Sequence, residues 1–200
     1  VPGFKDRARF TRALWLIPAG KPDRALRLYR RFREQAAETG RTPAVSAEFR
    51  SAYVAAGGRS SAWRQMLIES SRPLIQQRRS LELIELAIQC AVLAEHDTAV
   101  VLLNQGVADV DLEERPELLI AGLQCLMLTE NWQRAEAFIR QLINYQNAHE
   151  HAVLWRTASQ IAAKLGDDDE ALRRLEQAMR LEFSSLPETV HVAEFRNSYS

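Results

Sequence analysis

Four sets of residues in this chain have the types from which catalytic, phosphate or metal sites are made, and their spacing decides what they can do. Gly20 and Lys21 resemble the end of a phosphate-binding loop, where backbone N–H groups cradle phosphate oxygens and a lysine supplies charge. No glycine stands upstream at that loop's spacing and Pro22 follows directly, so the pair reads as a turn with a proline-started helix behind it. Asp167, Asp168, Asp169 and Glu170 could offer oxygen ligands to a hard cation. No further ligand returns at calcium-loop spacing, and carboxylates that open a helix bond its free N–H groups and complement its dipole. His149 and His151 flank Glu150 two positions apart, which on a helix separates their directions by about 200° and keeps them from sharing a metal. With His96 and His191 they read as surface or connector residues. Cys90 and Cys125 sit in apolar helical patterns with neither a CxxC spacing nor a nearby histidine to make a thiolate, and read as buried core thiols. No serine lies in a nucleophile-elbow context. The expected assignment is therefore no catalytic residue, no metal ligand set and no cofactor: the chain is not read as an enzyme.

Composition agrees with an ordinary folded domain rather than a disordered or disulfide-stapled one. The 200 residues are 46% hydrophobic and 26% charged, with two cysteines, which fits a reducing, cytoplasmic setting. Twenty-three of the 26 basic residues are arginine, and the sequence has no window of about 18 uninterrupted apolar residues. The opening VPGFKD, without methionine or a signal-like apolar run, leads us to expect a piece of a longer protein. Net charge is zero, but it is unevenly distributed. Residues 1–80 hold 17 Lys+Arg and 6 Asp+Glu, a balance of +11, and residues 81–200 hold 9 and 20, a balance of −11.

The elements that carry these groups are helical nearly throughout. LELIELAIQCAVLAE, residues 81–95, is apolar at Leu83, Leu86, Ala87, Cys90, Ala91 and Ala94, the spacing that keeps one helix face dry. Short turns such as PAGKP, GRTP, GGRSS, EHD, TEN and LGDDD separate the helices. Five of the turns superpose in register, and each is followed by an alanine: Ala25, Ala62, Ala99, Ala135 and Ala171, separated by 37, 37, 36 and 36 residues. A small side chain at that point lets two antiparallel helices approach closely. Large residues follow at helical spacing, and Leu172, Leu175 and Met179 after Ala171 are expected to fill the groove between neighbouring hairpins.

With that period, the chain resembles the tetratricopeptide repeat (TPR) family. The best unit is LWRTASQIAAKLGDDDEALRRLEQAMRLE, with Trp155, Gly166-Asp167, Ala171 and Ala178 at the family's positions, and Trp132 precedes Ala135 in the fourth unit. The pattern departs from the family in Arg50 and Leu123, where small residues are expected, and in a period longer than its usual length of about 34 residues. The resemblance implies an all-α fold, a right-handed superhelix of antiparallel hairpins. Its repeats are expected at about 6–40, 43–78, 80–112, 116–148 and 152–185, with a C-terminal helix at about 187–196 carrying Val190, Ala193 and Phe195.

Function must then lie in surfaces. The family's register places Ile84, Ile88, Ile120, Gln124, Met127, Arg156 and Gln160 on the concave wall. The aliphatic character of most of these suits a helix or extended segment of another protein better than an acidic C-terminal peptide. On the helix from Pro22, Arg24, Arg27 and Arg31 form an outward stripe. Its partners could be an anionic membrane surface, an acidic protein, nucleic acid or the acidic half of a second copy; nucleic acid is disfavoured because Phe10, Tyr29 and Phe32 read as structural rather than as exposed stacking platforms. The leading expectation is a cytoplasmic protein–protein interaction scaffold, in one version the soluble domain of a membrane-anchored bacterial envelope or exopolysaccharide machine. Nucleic-acid or regulatory binding through the basic half, and self-association of the two oppositely charged halves, are the alternatives.

Overall fold

A computed structural model describes residues 2–39, 45–108, 110–145 and 150–184. Those residues form an all-α fold without a β-strand. In chain order the helices are α1 (Pro2–Leu16), α2 (Pro22–Glu38), α3 (Ala47–Ala55), α4 (Ser60–Ser70), a five-residue α5 (Arg72–Gln76), α6 (Ser80–Val92), α7 (His96–Val107), α8 (Pro116–Leu128), α9 (Trp132–Asn144), α10 (Ala152–Lys164) and α11 (Asp168–Ser184). The expected helix at 187–196 lies outside the described residues.

The turns repeat in backbone conformation as well as in sequence. Gly20, Gly57, Ala94, Glu130 and Gly166 all have φ between 56° and 81°, the left-handed region. They follow α1, α3, α6, α8 and α10 respectively, and their separations are 37, 37, 36 and 36 residues. A left-handed residue lets the next N–H turn back onto the end of the helix it leaves, where carbonyls lack partners. Lys21 N–H thus donates to Leu16 O at 3.0 Å, Gly58 to Tyr53 at 2.9 Å, Glu95 to Cys90 at 2.9 Å and Asp167 to Ala162 at 3.0 Å. Five residues after each left-handed position comes the alanine of the sequence period. Ala25, Ala99, Ala135 and Ala171 are buried and Ala62 half-buried, each in the first turn of the helix that follows. Sequence period, turn geometry and close helix packing are therefore one pattern. Asp167 also opens α11 as expected, its carboxylate accepting the Glu170 N–H at 3.1 Å.

The chain divides into two compact units, Val1–Leu112 with Gln124–Glu130, and Glu113–Leu123 with Asn131–Ser200. In the first, α1 packs on α2, α2 on α4, and α6 on α7. Its core is aromatic around α2: Tyr29 stacks on Phe49 with ring centroids 4.3 Å apart, and Trp63 lies 5.9 Å from Tyr29 and 6.2 Å from Phe49. Such rings bury large areas but bring polar tips that need partners. The Tyr29 hydroxyl is served by the Ser46 N–H at 3.1 Å, and the Ser46 hydroxyl oxygen in turn accepts the Phe49 N–H and caps α3. The α6–α7 crossing is closer still. A methyl group on Gly106 would come within 2.8 Å of Ile84 Cγ1, so only glycine fits that crossing.

In the second unit α11 packs on α10 and α10 on α9, around smaller side chains: Ala135, Phe138, Ile139, Leu142, Ala158, Ile161, Ala162 and Ala178. Charge enters this interior with Arg174, buried on α11. Its guanidinium donates to Glu136 through Nη1 at 2.8 Å and Nη2 at 2.6 Å, to Glu170 through Nε at 2.6 Å, and to the Ala158 carbonyl at 3.0 Å. A buried cation is tolerated only when paired and fully hydrogen-bonded. These bonds raise the Arg174 pKa, Glu136 contributing most. They also hold the Glu136 carboxyl below its usual range, chiefly through Arg174 itself.

Candidate interaction surfaces

The basic stripe is built by the amphipathic division of α2. Ala25, Leu26, Tyr29, Arg33 and Ala37 are buried, which leaves Arg24, Arg27 and Arg31 exposed on the opposite face. Leu28 lies between those arginines, half-buried rather than fully inward. Across from it α1 contributes Arg12 and Leu16, one turn apart, and the six side chains line an open groove of about 310 Å³. The fourth arginine was missed in the sequence because it lies on the preceding helix. Its signal was present, since Arg12 and Leu16 stand four apart on one stripe of α1, flanking the buried Ala13.

Charge in this groove is uncompensated, although most neighbouring arginines are paired. Arg30 bonds Glu34 at 2.7 Å and Glu69 at 2.6 Å; Arg50 and Arg64 converge on the buried Glu95 at 2.8 Å and 3.1 Å; Arg33 donates to Ser70 Oγ at 3.2 Å; Arg9 donates to Gln35. The Arg30–Glu34 pair is the one its spacing predicts. Arg12, Arg24, Arg27 and Arg31 form no ion pair among the described residues. Arg27 and Arg31, four apart, repel. Trp15, beside Leu16, is 75% exposed, and Pro18 and Ala19 in the following turn are exposed as well.

The wall residues are placed differently from one another. In the first unit Ile84 is fully buried against Gly106 of α7, which removes it from any docking surface; it is a core residue. Its register position was right for a helix face, but α6 is covered on more than one side, and a single helical wheel does not reveal that. Ile88 and Met127 are half-buried and Gln124 is exposed. In the second unit Ile120 is 56% exposed, Gln160 is exposed, and Arg156 is exposed with its guanidinium donating to Glu182.

An apolar surface that the sequence reading assigned to the core appears on α11. Leu172, Leu175, Met179 and Phe183 are between 40% and 59% exposed. Their offsets of 3, 7 and 11 from Leu172 place them on one stripe, which at 1.5 Å per residue runs about 16 Å, or three turns. In a repeat array such residues are covered by the next element along, and the helix expected there, at 187–196, lies outside the described residues.

Nothing among the described residues assembles into a metal-binding group of three or more His, Cys, Asp or Glu side chains. Cys90 and Cys125 are buried, and burial pushes the Cys90 thiol up to about 12, far from a reactive thiolate. His96 and His151 are exposed; His149 and His191 lie outside the described residues. No described helix is long and apolar enough to cross a membrane.

No known family's sequence profile matches the chain, and no curated protein sequence matches it. Among solved structures, MamA AMB-1 is 17% identical, with a TM-score of 0.43 over 88% of this chain and 99% of that one. MamA MSR-1 is 16% identical, with a TM-score of 0.43 over 91% of this chain and 99% of that one.

Proposed function

We propose that this chain is a non-enzymatic, TPR-like scaffold that holds an apolar helix or extended segment of another protein. In our reading it works on the cytoplasmic side of a membrane-associated bacterial assembly, such as an envelope or exopolysaccharide machine. The observation that carries the scaffold reading is the exposed stripe Leu172, Leu175 and Met179. Three large apolar side chains along two turns are a recognition surface for a helix, which would lay its own i, i+3, i+7 residues against them. The half-exposed aliphatics Ile88 and Ile120 extend the same chemistry within their own units. The wider assembly rests on the repeat architecture and on the arginine-rich composition.

Photo-crosslinking in the producing cells tests the scaffold. A photoreactive residue at Leu175 or Met179 is expected to yield one discrete adduct with a different protein, and the same residue at exposed Gln133 of α9 to yield none. Adducts with a second copy alone would replace the reading with self-association, for which the +11 and −11 halves give an electrostatic reason. No adduct at either stripe position would overturn it. Nucleic-acid binding has weaker support: Phe10, Tyr29 and Phe32, the aromatics interleaved with the arginines, are engaged with one another at centroid distances of 5.8 to 6.1 Å.

A further inference from the structure

The α1–α2 hairpin concentrates two features that its fold does not use, unpaired positive charge and an outward tryptophan. Helices built for solvent pair their charges, and this region does so elsewhere, at Arg30 with Glu34 and Glu69 and at Arg64 with Glu95 and Asp97. Arg12, Arg24, Arg27 and Arg31 instead line one open groove with an aliphatic floor of Leu16 and Leu28. Like charges gathered this closely destabilise the hairpin unless something anionic meets them. Trp15, three residues beyond Arg12 and so its neighbour on the surface of α1, presents its ring to solvent.

From this combination we infer that the hairpin docks on an anionic phospholipid bilayer, its arginines at the headgroup phosphates and Trp15 seated at the bilayer interface. An indole is at home in that interface because one end is apolar and the other donates a hydrogen bond. Guanidinium groups pair with phosphate oxygens in a bidentate fork, and their stems lie along the apolar surface while the heads stay at the headgroups. An acidic peptide would satisfy the arginines but gives Trp15 no role. A nucleic acid strand would need several exposed rings for successive bases, and this face offers one. The docking is peripheral and needs no membrane-spanning segment. It also stands apart from the scaffold reading, since each rests on different helices and a different measurement.

The test uses the whole 200-residue chain with vesicles of mixed phosphatidylglycerol and phosphatidylcholine, read by co-sedimentation and tryptophan fluorescence. Three results are expected: binding to the anionic vesicles, none to pure phosphatidylcholine, and a blue shift that disappears in Trp15→Phe. With each basic residue near an anionic surface contributing about fivefold, the triple variant Arg24→Gln, Arg27→Gln, Arg31→Gln should lose on the order of a hundredfold in partitioning. Raised salt should release the protein, since the attraction is screened within a Debye length. These arginines are exposed and unpaired, so the variant should fold, and an unchanged helical circular dichroism spectrum with an unchanged melting temperature verifies it. If the variant fails that check, charge screening by salt on the unmodified chain together with Trp15→Phe decides the matter. Absence of binding to the anionic vesicles, or binding that the folded triple variant retains, overturns the inference. So does tight capture of a polyglutamate peptide or an oligonucleotide by a protein that ignores vesicles.

Discussion

Arginine does opposite things in the two units of this chain. In the second unit Arg174 is drawn into the interior and answered by two carboxylates and a carbonyl. In the first, Arg12, Arg24, Arg27 and Arg31 are pushed outward onto a groove without a counter-ion among the described residues, and the interior is given mainly to rings, with Arg33 beside them. The difference follows from what each core can hold. A core of stacked Tyr29, Phe49 and Trp63 fills most of its volume with apolar surface and seats the guanidinium of Arg33 against the Ser70 hydroxyl, whereas alanine-rich packing around Ala158, Ala162 and Ala178 leaves room for one long cation with two carboxylate partners. The comparison separates charge that serves the fold from charge left for something else.

The largest test acts on the aromatic side. Trp63→Ala removes the biggest buried ring, and the first unit should lose about 3–5 kcal/mol in urea unfolding. A loss below about 1 kcal/mol would mean that the stack is not the core it resembles. Next comes the charged interior. Arg174→Ala removes the cation shared by Glu136 and Glu170, leaving them Arg140 and Arg173, and empties a buried site; the second unit should lose about 2 kcal/mol, whereas Arg24→Ala on the outer groove should stay within about 0.5 kcal/mol of the parent. Equal effects would erase the contrast.

Acid should find the same network. Hydrogen bonds from Arg173, with further help from Arg174, hold the Glu170 carboxyl down to about 2 from an ordinary 4.5. Because the folded value is depressed, this stabilisation is complete above pH 4.5 and drains away as the pH falls toward about 2. Melting temperature measured across that window should therefore decline more in the parent than in Glu170→Gln, and parallel curves would remove Glu170 from the explanation.

A smaller effect tests the feature the units share. Ala135→Leu and Ala171→Leu should each cost about 1–3 kcal/mol through overpacking at the helix crossing. Unchanged melting in both would mean that the alanine register is misplaced. The smallest expected change is a gain. Ala94 holds a left-handed backbone at φ 57°, a conformation glycine adopts freely, so Ala94→Gly should stabilise by about 0.5–1 kcal/mol if the turn is as described.

Much of this was legible in the sequence, and the exceptions have physical reasons. The helices and their turns were written in apolar spacing and in the recurring alanine, both local signals. Gly20, Gly57 and Gly166 announced left-handed turns, but Ala94 and Glu130 adopt the same conformation without a residue that advertises it. Ile84 could be put on a helix face but not recognised as buried, because burial depends on α7 and on the bare Cα of Gly106. Leu172, Leu175 and Met179 have the composition of core residues, and only the element beyond them decides whether they are covered. The stripe Arg24, Arg27 and Arg31 was readable along one helix, whereas Arg12 joins it by tertiary packing.

The recurrence of a left-handed residue at 20, 57, 94, 130 and 166 limits how the length of this chain can change. Inserting or deleting one residue inside a helix turns everything after it by about 100°, and the crossing alanine no longer meets its neighbour. Removing the stretch from one left-handed residue to the next, 36 or 37 positions, brings the following helix back in phase. Viable relatives of this sequence should therefore differ in length by whole beats or within the connectors, and engineered fusions should be cut at those five positions.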